Sequence, residues 1–408
     1  MSSDPAPSDR SALPPTVRPE ALAAPESGIV EVFNYGRGRE GLIPLWVGEG
    51  HLPTPGFISE AASKALTGGE TFYTYQRGVP ELRAALARYV ARLHDVPVAP
   101  ERFYVTTGGM QALMIAVRII SGPGDEVIIP SPAWPNIAGA LAVQGATAVP
   151  VPMRFDPKEG WSLDVDRLAA AVTPRTRALF INSPANPTGW TATPDDLRAI
   201  LALARRHGLW IVADEIYGRF AYGAGLVSTP MGDRAPSFRD VWEPDDAERI
   251  LFVQTFSKNW AMTGWRVGWL EAPPRLGDLI ENLIQYSTSG LPAFLQRGAV
   301  AAIEDGEAFV AEQVARAAAG RRIVVDGLSR VAVIDLPAPR GAFYAFLRVR
   351  GANDDRALSL RLVDEANVGL APGKAFGPGG EGFQRLCFAR SEADLEEAVR
   401  RIARVLGP

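Results

Sequence analysis

From about residue 100 to residue 270, short apolar and β-branched runs alternate with stretches whose apolar positions recur every three or four residues. The first pattern is that of a strand and the second that of a helix. The runs at 102–107, 126–130, 147–152, 177–182, 209–213, 250–255 and 266–270 predict strands; the stretches at 109–120, 135–143 and 165–172 predict helices. One further helix is fully punctuated. Thr193 can cap it, Pro194 suits its first position, and Asp195 and Asp196 complement the positive end of its dipole. Leu197, Ile200, Leu201 and Ala204 give it one apolar face, and Gly208 stops it. Repeated strand–helix alternation predicts an α/β fold, a mainly parallel sheet sandwiched by helices, with ligands beyond the carboxyl ends of its strands. The C-terminal part differs. Strands at 341–349 and 384–389 and helices at 357–366 and 391–406 predict a smaller α+β domain. The domains expected are a flexible arm over 1–28, a small domain from 29–55 and 300–408, and a large domain over 56–299.

Composition narrows the function. Of 408 residues 47% are hydrophobic, enough for two cores, and the net charge is −4. Basic residues are dispersed, so no concentrated positive face suits nucleic acid or a membrane surface. No apolar run reaches the length of a membrane span. The first 28 residues hold Pro5, Pro7, Pro14, Pro15, Pro19 and Pro25 and lack the pattern of a secretory signal, which predicts a mobile arm. The single cysteine, Cys387, excludes an internal disulfide and fits the cytoplasm. His51, His94 and His207 lack ligand spacing, so no metal is expected. Basic residues are overwhelmingly arginine; the only lysines are Lys64, Lys158, Lys258 and Lys374. A lysine in such a chain hints at a need for an amine.

The residues able to do chemistry cluster at predicted strand ends. Asp214 follows the run 209–213, where by itself it reads as a helix cap or turn residue. Asn186 lies in Asn182-Ser-Pro-Ala-Asn-Pro-Thr-Gly189, which by itself reads as a turn. Gly108 and Gly109 join a strand to a helix, leaving N–H groups that suit a phosphate, though paired glycines are common at such turns. Lys258 follows an apolar strand between Phe256 and Trp260, where burial lowers an amine's pKa; a lysine snorkelling to the surface is the alternative.

The stretches Tyr73–Arg83, Val105–Leu113, Ser131–Trp134, Asn182–Gly189, Ala213–Tyr217, Ser257–Gly268, Gly341–Tyr344 and Arg385–Ala389 occur in one order. In that order and wording, from about residue 30 to the C-terminus, the chain resembles the class I/II aminotransferases. These form the aspartate-aminotransferase-like branch of the fold type I pyridoxal-phosphate enzymes. The resemblance implies pyridoxal 5'-phosphate held by Lys258 as a Schiff base, with the freed lysine acting as general base. Asp214 would pair with the pyridine nitrogen, Asn186 and Tyr217 would meet the phenolic oxygen, and Trp134 would stack on the ring. Gly108, Gly109, Met110, Thr255, Ser257 and Arg266 would hold the phosphate. Tyr73 would reach the phosphate of the neighbouring subunit in a homodimer with shared sites. Arg385 would clamp the substrate α-carboxylate beside Gly48, Asn186 and Tyr344.

Three positions depart from the family's wording. His51 stands in the turn after Gly48 and reads either as a substrate contact or as a loop histidine. Cys387 replaces a common serine. Met110 stands where some aspartate-selective relatives carry lysine, which predicts a neutral, apolar or aromatic amino-acid substrate and a 2-oxo-acid acceptor. The same site wording also serves β-lyases, decarboxylases and oxidases. A non-catalytic sensing module finds no room for a DNA-binding unit before residue 30. A dinucleotide enzyme finds no G-x-G-x-x-G.

Overall fold

The computed structural model describes residues 17–22 and 24–407. The expected arm therefore lies mostly outside the described residues. Its remainder makes one helical turn at Pro19–Leu22, and helix α1 (Gly28–Gly36) follows.

Seven strands form the large sheet: β1 (Phe103–Thr106), β2 (Glu126–Ser131), β3 (Thr147–Pro152), β4 (Thr176–Asn182), β5 (Trp210–Asp214), β6 (Ile250–Thr255) and β7 (Gly268–Glu271). Their order is β1-β7-β6-β5-β4-β2-β3. All run parallel except β7, which is antiparallel to both neighbours. The strand expected at 266–270 begins two residues late because Arg266 has φ 55, a left-handed conformation that still belongs to the preceding loop. The strand expected at 209–213 is shifted by one, so Asp214 is its last residue and sits in register with Asn182 of β4 and Val253 of β6.

The helices follow from their punctuation. Helix α2 (Pro80–His94) and helix α3 (Gly108–Ile120) flank β1, and helix α4 (Asn136–Ala142) follows β2. Helix α5 (Pro194–His207) carries the expected capping box: Thr193 Oγ1 accepts from Asp196 N at 3.1 Å, and Asp196 accepts from Thr193 N at 2.8 Å. Its Leu197, Ile200 and Leu201 are buried with Ile211 and Phe252 of the sheet. Each such side chain contributes roughly 1.5–3 kcal/mol.

Helix α6 (Glu307–Leu328) leads to a second, antiparallel sheet of β8 (Ile334–Asp335), β9 (Tyr344–Val349), β10 (Ala371–Pro372) and β11 (Phe383–Cys387), in the order β8-β9-β11-β10. Helix α7 (Glu392–Leu406) closes it, burying Leu395, Ala398 and Ile402. Ile43–Pro44 pairs in parallel with Val368–Gly369, which brings the segment before Gly48 to the C-terminal sheet. Tyr217 and Phe220, just beyond β5, are packed into the same core as β9. The carboxyl ends of the large sheet therefore face the second sheet, and the candidate residues lie at that joint.

Candidate active site

Helix α3 starts one residue after β1 ends, and the first N–H groups of a helix have no partner inside it. Gly108 has φ +73, and a Cβ there would lie 2.6 Å from Arg266 Nη2, so the guanidinium rests directly against the helix start. Gly268 serves the same approach, since its Cβ would lie 2.7 Å from Gly109 N. Arg266 is anchored by Nη1 donating to Thr263 O at 2.7 Å. Buried Thr255 and Ser257 add two hydroxyls, 2.9 Å apart. A helix start, a guanidinium and two hydroxyls make an anion cradle.

Lys258 enters from the turn after β6. Its Nζ donates to Gly48 O at 2.7 Å and lies 6.0 Å from the Tyr217 and Phe343 ring centroids. Burial pushes its pKa down from 10.5 to about 8. Asp214, 3% exposed, is pushed by burial up to about 7, opposed by one long hydrogen bond from Ile216 N at 3.5 Å. A carboxylate so placed lacks the cation that would offset its desolvation. Asn182 ties the neighbouring strand ends together: Nδ2 donates to Asp214 O at 3.0 Å, and Oδ1 accepts from Asn186 N at 2.8 Å.

Arg385 rises from β11. Its Nη1 donates to Asn186 Oδ1 at 3.1 Å and its Nη2 to Trp46 O, while the guanidinium lies over the Tyr344 ring at 4.7 Å and the Phe376 ring at 4.9 Å. Its Nε has no partner among the described residues. The Tyr217 and Tyr344 hydroxyls are 2.8 Å apart, and burial holds both well above the usual phenol range. Gly48 makes room for Tyr344, because a Cβ would fall 2.3 Å from Tyr344 Oη and would have to displace that hydroxyl.

One cavity of about 510 Å³ gathers Gly48, Gly109, Met110, Trp134, Asn186, Asp214, Tyr217, Thr255, Ser257, Lys258, Arg266, Tyr344 and Arg385. Gly108 lies just behind its wall. Tyr73 is not brought in; it is 96% exposed, beside Phe72 and Tyr75 on the surface. His51 lines a separate small cavity on the other flank of Lys258, its Nδ1 3.5 Å from Ala389 O. Cys387 is buried, its Sγ 3.6 Å from Glu49 O. No cluster of potential metal ligands occurs among the described residues. Sequence reasoning missed Asn182, whose signal was its place at the end of a strand in register with Asp214. It also missed Ile29, Val30 and Phe33 of α1 and Val47, which line the cavity; for the first three, only their apolar spacing just after the proline-rich stretch could have suggested them.

Pyridoxal phosphate fits these residues. The cradle would take the phosphate, the cation-deficient Asp214 would suit a protonated ring nitrogen, the lysine amine would suit the aldehyde, and Trp134 would offer an aromatic face.

Residues 42–402 match the family described as aminotransferase class I and II. The chain is 35% identical to the aspartate/prephenate aminotransferase of Thermus thermophilus, over 96% of this chain and 97% of that one. It is 35% identical to aromatic-amino-acid aminotransferase 2 of Thermococcus litoralis, over 93% and 95%. Among solved structures, the aspartate aminotransferase of Rhizobium meliloti superposes with a TM-score of 0.87 at 31% identity, covering 96% of this chain and 98% of that one. The expected fold is therefore borne out, and the chain belongs to the class I and II aminotransferases, enzymes dependent on pyridoxal phosphate.

Proposed function

We propose that this aminotransferase acts on amino acids with neutral, apolar or aromatic side chains. The carrying observation is the wall of its cavity. The cations lining it are Lys258, Arg266 and Arg385, each occupied by the amine, phosphate or α-carboxylate role; Ile29, Val30, Phe33, Val47 and Met110 line it on the side of α1, with only the neutral Ser27 and Asn136 as polar neighbours. A second carboxylate desolvated there would meet no further cation, and a buried charge without an opposite charge is very costly.

The cofactor supplies the carbonyl carbon that takes the amino group and a ring that withdraws electrons from the reacting carbon. The rest is the protein's work. Arg385 turns its planar fork to the substrate α-carboxylate and fixes the plane in which the Cα–H bond stands. Lys258 Nζ would take the proton from Cα and deliver it to the cofactor's carbonyl-derived carbon, two bonds away across the nitrogen. Its lowered pKa leaves roughly a tenth of the amine unprotonated at pH 7, against a few hundredths of a percent for an ordinary lysine. Asp214 gains its missing counter-charge from the ring nitrogen and keeps that nitrogen protonated. Asn186 and Tyr217 donate to the phenolic oxygen, and Tyr344 holds Tyr217 in place.

The dimer rests on the surface. Phe72, Tyr73 and Tyr75 are 84%, 96% and 63% exposed, an apolar patch that fits a second copy with Tyr73 reaching the partner's phosphate. A small domain of 29–55 and 300–408 beside a large domain of 56–299 is supported by the core of the second sheet, which joins Ile43 and Leu45 to residues 317–402; that core also takes in Tyr217, Phe220 and Tyr222, and Ala302, Ile303 and Val310 pack with the large domain. No helix of the described residues is long and apolar enough to cross a membrane.

Stopped-flow half-reactions with leucine, phenylalanine, alanine and aspartate test the substrate class. Charge-assisted hydrogen bonds contribute about 1.5–3 kcal/mol each, so lacking a two-bond clamp costs aspartate roughly two orders of magnitude or more. Met110→Lys should recover much of that for aspartate while slowing leucine. Aspartate fastest by tenfold in the unaltered protein would refute the assignment.

A further inference from the structure

Behind the strand ends lies another small cavity, of about 30 Å³, on the side of the large sheet covered by α2. Five buried polar atoms of its lining have no hydrogen-bond partner among the described residues: Tyr89 Oη, His94 Nδ1, Arg219 Nε, Asn259 Oδ1 and Trp269 Nε1. Such groups are rarely left alone in native proteins. Arg219 and Asn259 approach Tyr89 Oη closely enough to affect its ionisation but without hydrogen-bond geometry. The volume exceeds the roughly 10–15 Å³ that one water needs, and a buried water requires two to four polar partners. The lining mixes donors with acceptors, Glu215 among them, which suits water and disfavours an anion. His94 stays neutral, its pKa pushed well down by burial and by Arg239 and Arg234.

The position of this chamber matters more than its contents. Three of its residues are sequence neighbours of site residues: Ser183 follows Asn182, Glu215 follows Asp214, and Asn259 follows Lys258. Glu215 is held by Ser237 Oγ at 2.8 Å and Phe238 N at 3.2 Å, and its backbone oxygen accepts from Gln254 Nε2 at 3.3 Å. Asn259 has no such protein anchor for its oxygen. We propose that the chamber is a bound-water site whose one or two waters join Asn259 to Tyr89, Arg219 and Trp269, making Asn259 a positioning residue for Lys258. This rests on the role assigned to Lys258 above.

The first test is a crystal structure of the cofactor-loaded protein at a resolution that shows ordered solvent. Density within hydrogen-bond distance of Tyr89 Oη, Asn259 Oδ1 and Trp269 Nε1 is expected; a chamber without density overturns the proposal. The second test is Asn259→Leu, which fills the space and removes the oxygen. A small displacement of a catalytic group costs about ten- to a hundredfold in rate, so kcat of the half-reaction should fall by that factor with KM within about twofold. The melting temperature of the cofactor-free protein should fall as well, because the displaced waters leave Tyr89, Arg219 and Trp269 unpaired. A lower melting temperature with kcat retained would mean a packing role only and overturn the proposal. Tyr89→Phe, which keeps the ring and removes one water partner, repeats the kinetic test should Asn259→Leu not fold, and an unchanged kcat there has the same meaning. Failure of the Lys258 assignment shows separately, as absence of a pyridoxyl label on that residue after borohydride reduction.

Discussion

Replacing Asp214 by asparagine should stabilise the cofactor-free protein and destabilise the loaded one. The carboxyl is 3% exposed and titrates at about 7 in the folded chain, against 3.8 for an ordinary aspartate; burial raises it, and the adjacent Glu215 adds to the shift. Between those two values the folded state holds a proton that the unfolded chain has released, so stability falls as pH rises through that window. Above pH 7 the cost is complete. A difference of about three pKa units corresponds to about 4 kcal/mol, a ceiling that local relaxation and water reduce to roughly 2–4. Asparagine keeps the shape and carries no charge. Denaturant unfolding of the cofactor-free proteins at fixed concentration should therefore show Asp214→Asn more stable by that amount at pH 8, with the gap closing toward pH 4. With cofactor bound the order should reverse, because the ring nitrogen supplies the missing cation. A cofactor-free variant less stable than the parent at pH 8, or a gap that ignores pH, would refute the reasoning.

Borohydride treatment of the yellow holoenzyme should place pyridoxyl on Lys258 in the peptide mass spectrum; label on Lys374 would sink the assignment. Lys258→Ala should lose more than the roughly 10²–10⁴-fold typical of a general acid–base, since the route by which substrate displaces the lysine goes with it, and Lys258→Arg should be nearly as inactive. Mixing a Lys258→Ala chain with a Tyr73→Phe chain should restore activity toward about a quarter of the unaltered level, because half the dimers are mixed and each carries one intact site. No recovery after verified subunit exchange would argue against a shared site.

How much of this the sequence disclosed follows from the range of the interactions involved. Strands β3 and β6 are found at the predicted residues, and α5 with its Thr193 cap and Gly208 stop is found whole, because each signal is local. The reversed direction of β7 was not legible. Its residues are as apolar as those of the parallel strands, and direction is set by partners 15 and more than 150 residues away. The helix expected at 357–366 is α-helical only over Asp355–Arg361 and continues as a wider turn over Leu362–Ala366, a change that no residue type announces. Position alone also misjudged Asp214, which ends its strand instead of following it. That single step matters, because it places the residue in register with Asn182, whose side chain then reaches Asp214 O and Asn186 N.

The mouth of the site shows the same dependence most plainly. Residues 29–33 precede a chain segment that pairs with residues 368–369, and that pairing, more than three hundred residues apart in sequence, holds the N-terminal segment beside β10 and β11. Arg385 of β11 then bonds the carbonyl of Trp46, and Lys258 bonds that of Gly48. One short extended stretch thus links Arg385 of the second sheet to the amine of Lys258 beyond the first. In the proposed roles of these two residues, substrate recognition and proton transfer would meet across it, so changes in α1 should move amino-acid selectivity without touching the residues proposed to hold the cofactor. The proposed preference for apolar side chains fits that separation: the chemistry would be set by residues at strand ends, and the choice of substrate would fall to Ile29, Val30, Phe33, Val47 and Met110, which line the same cavity.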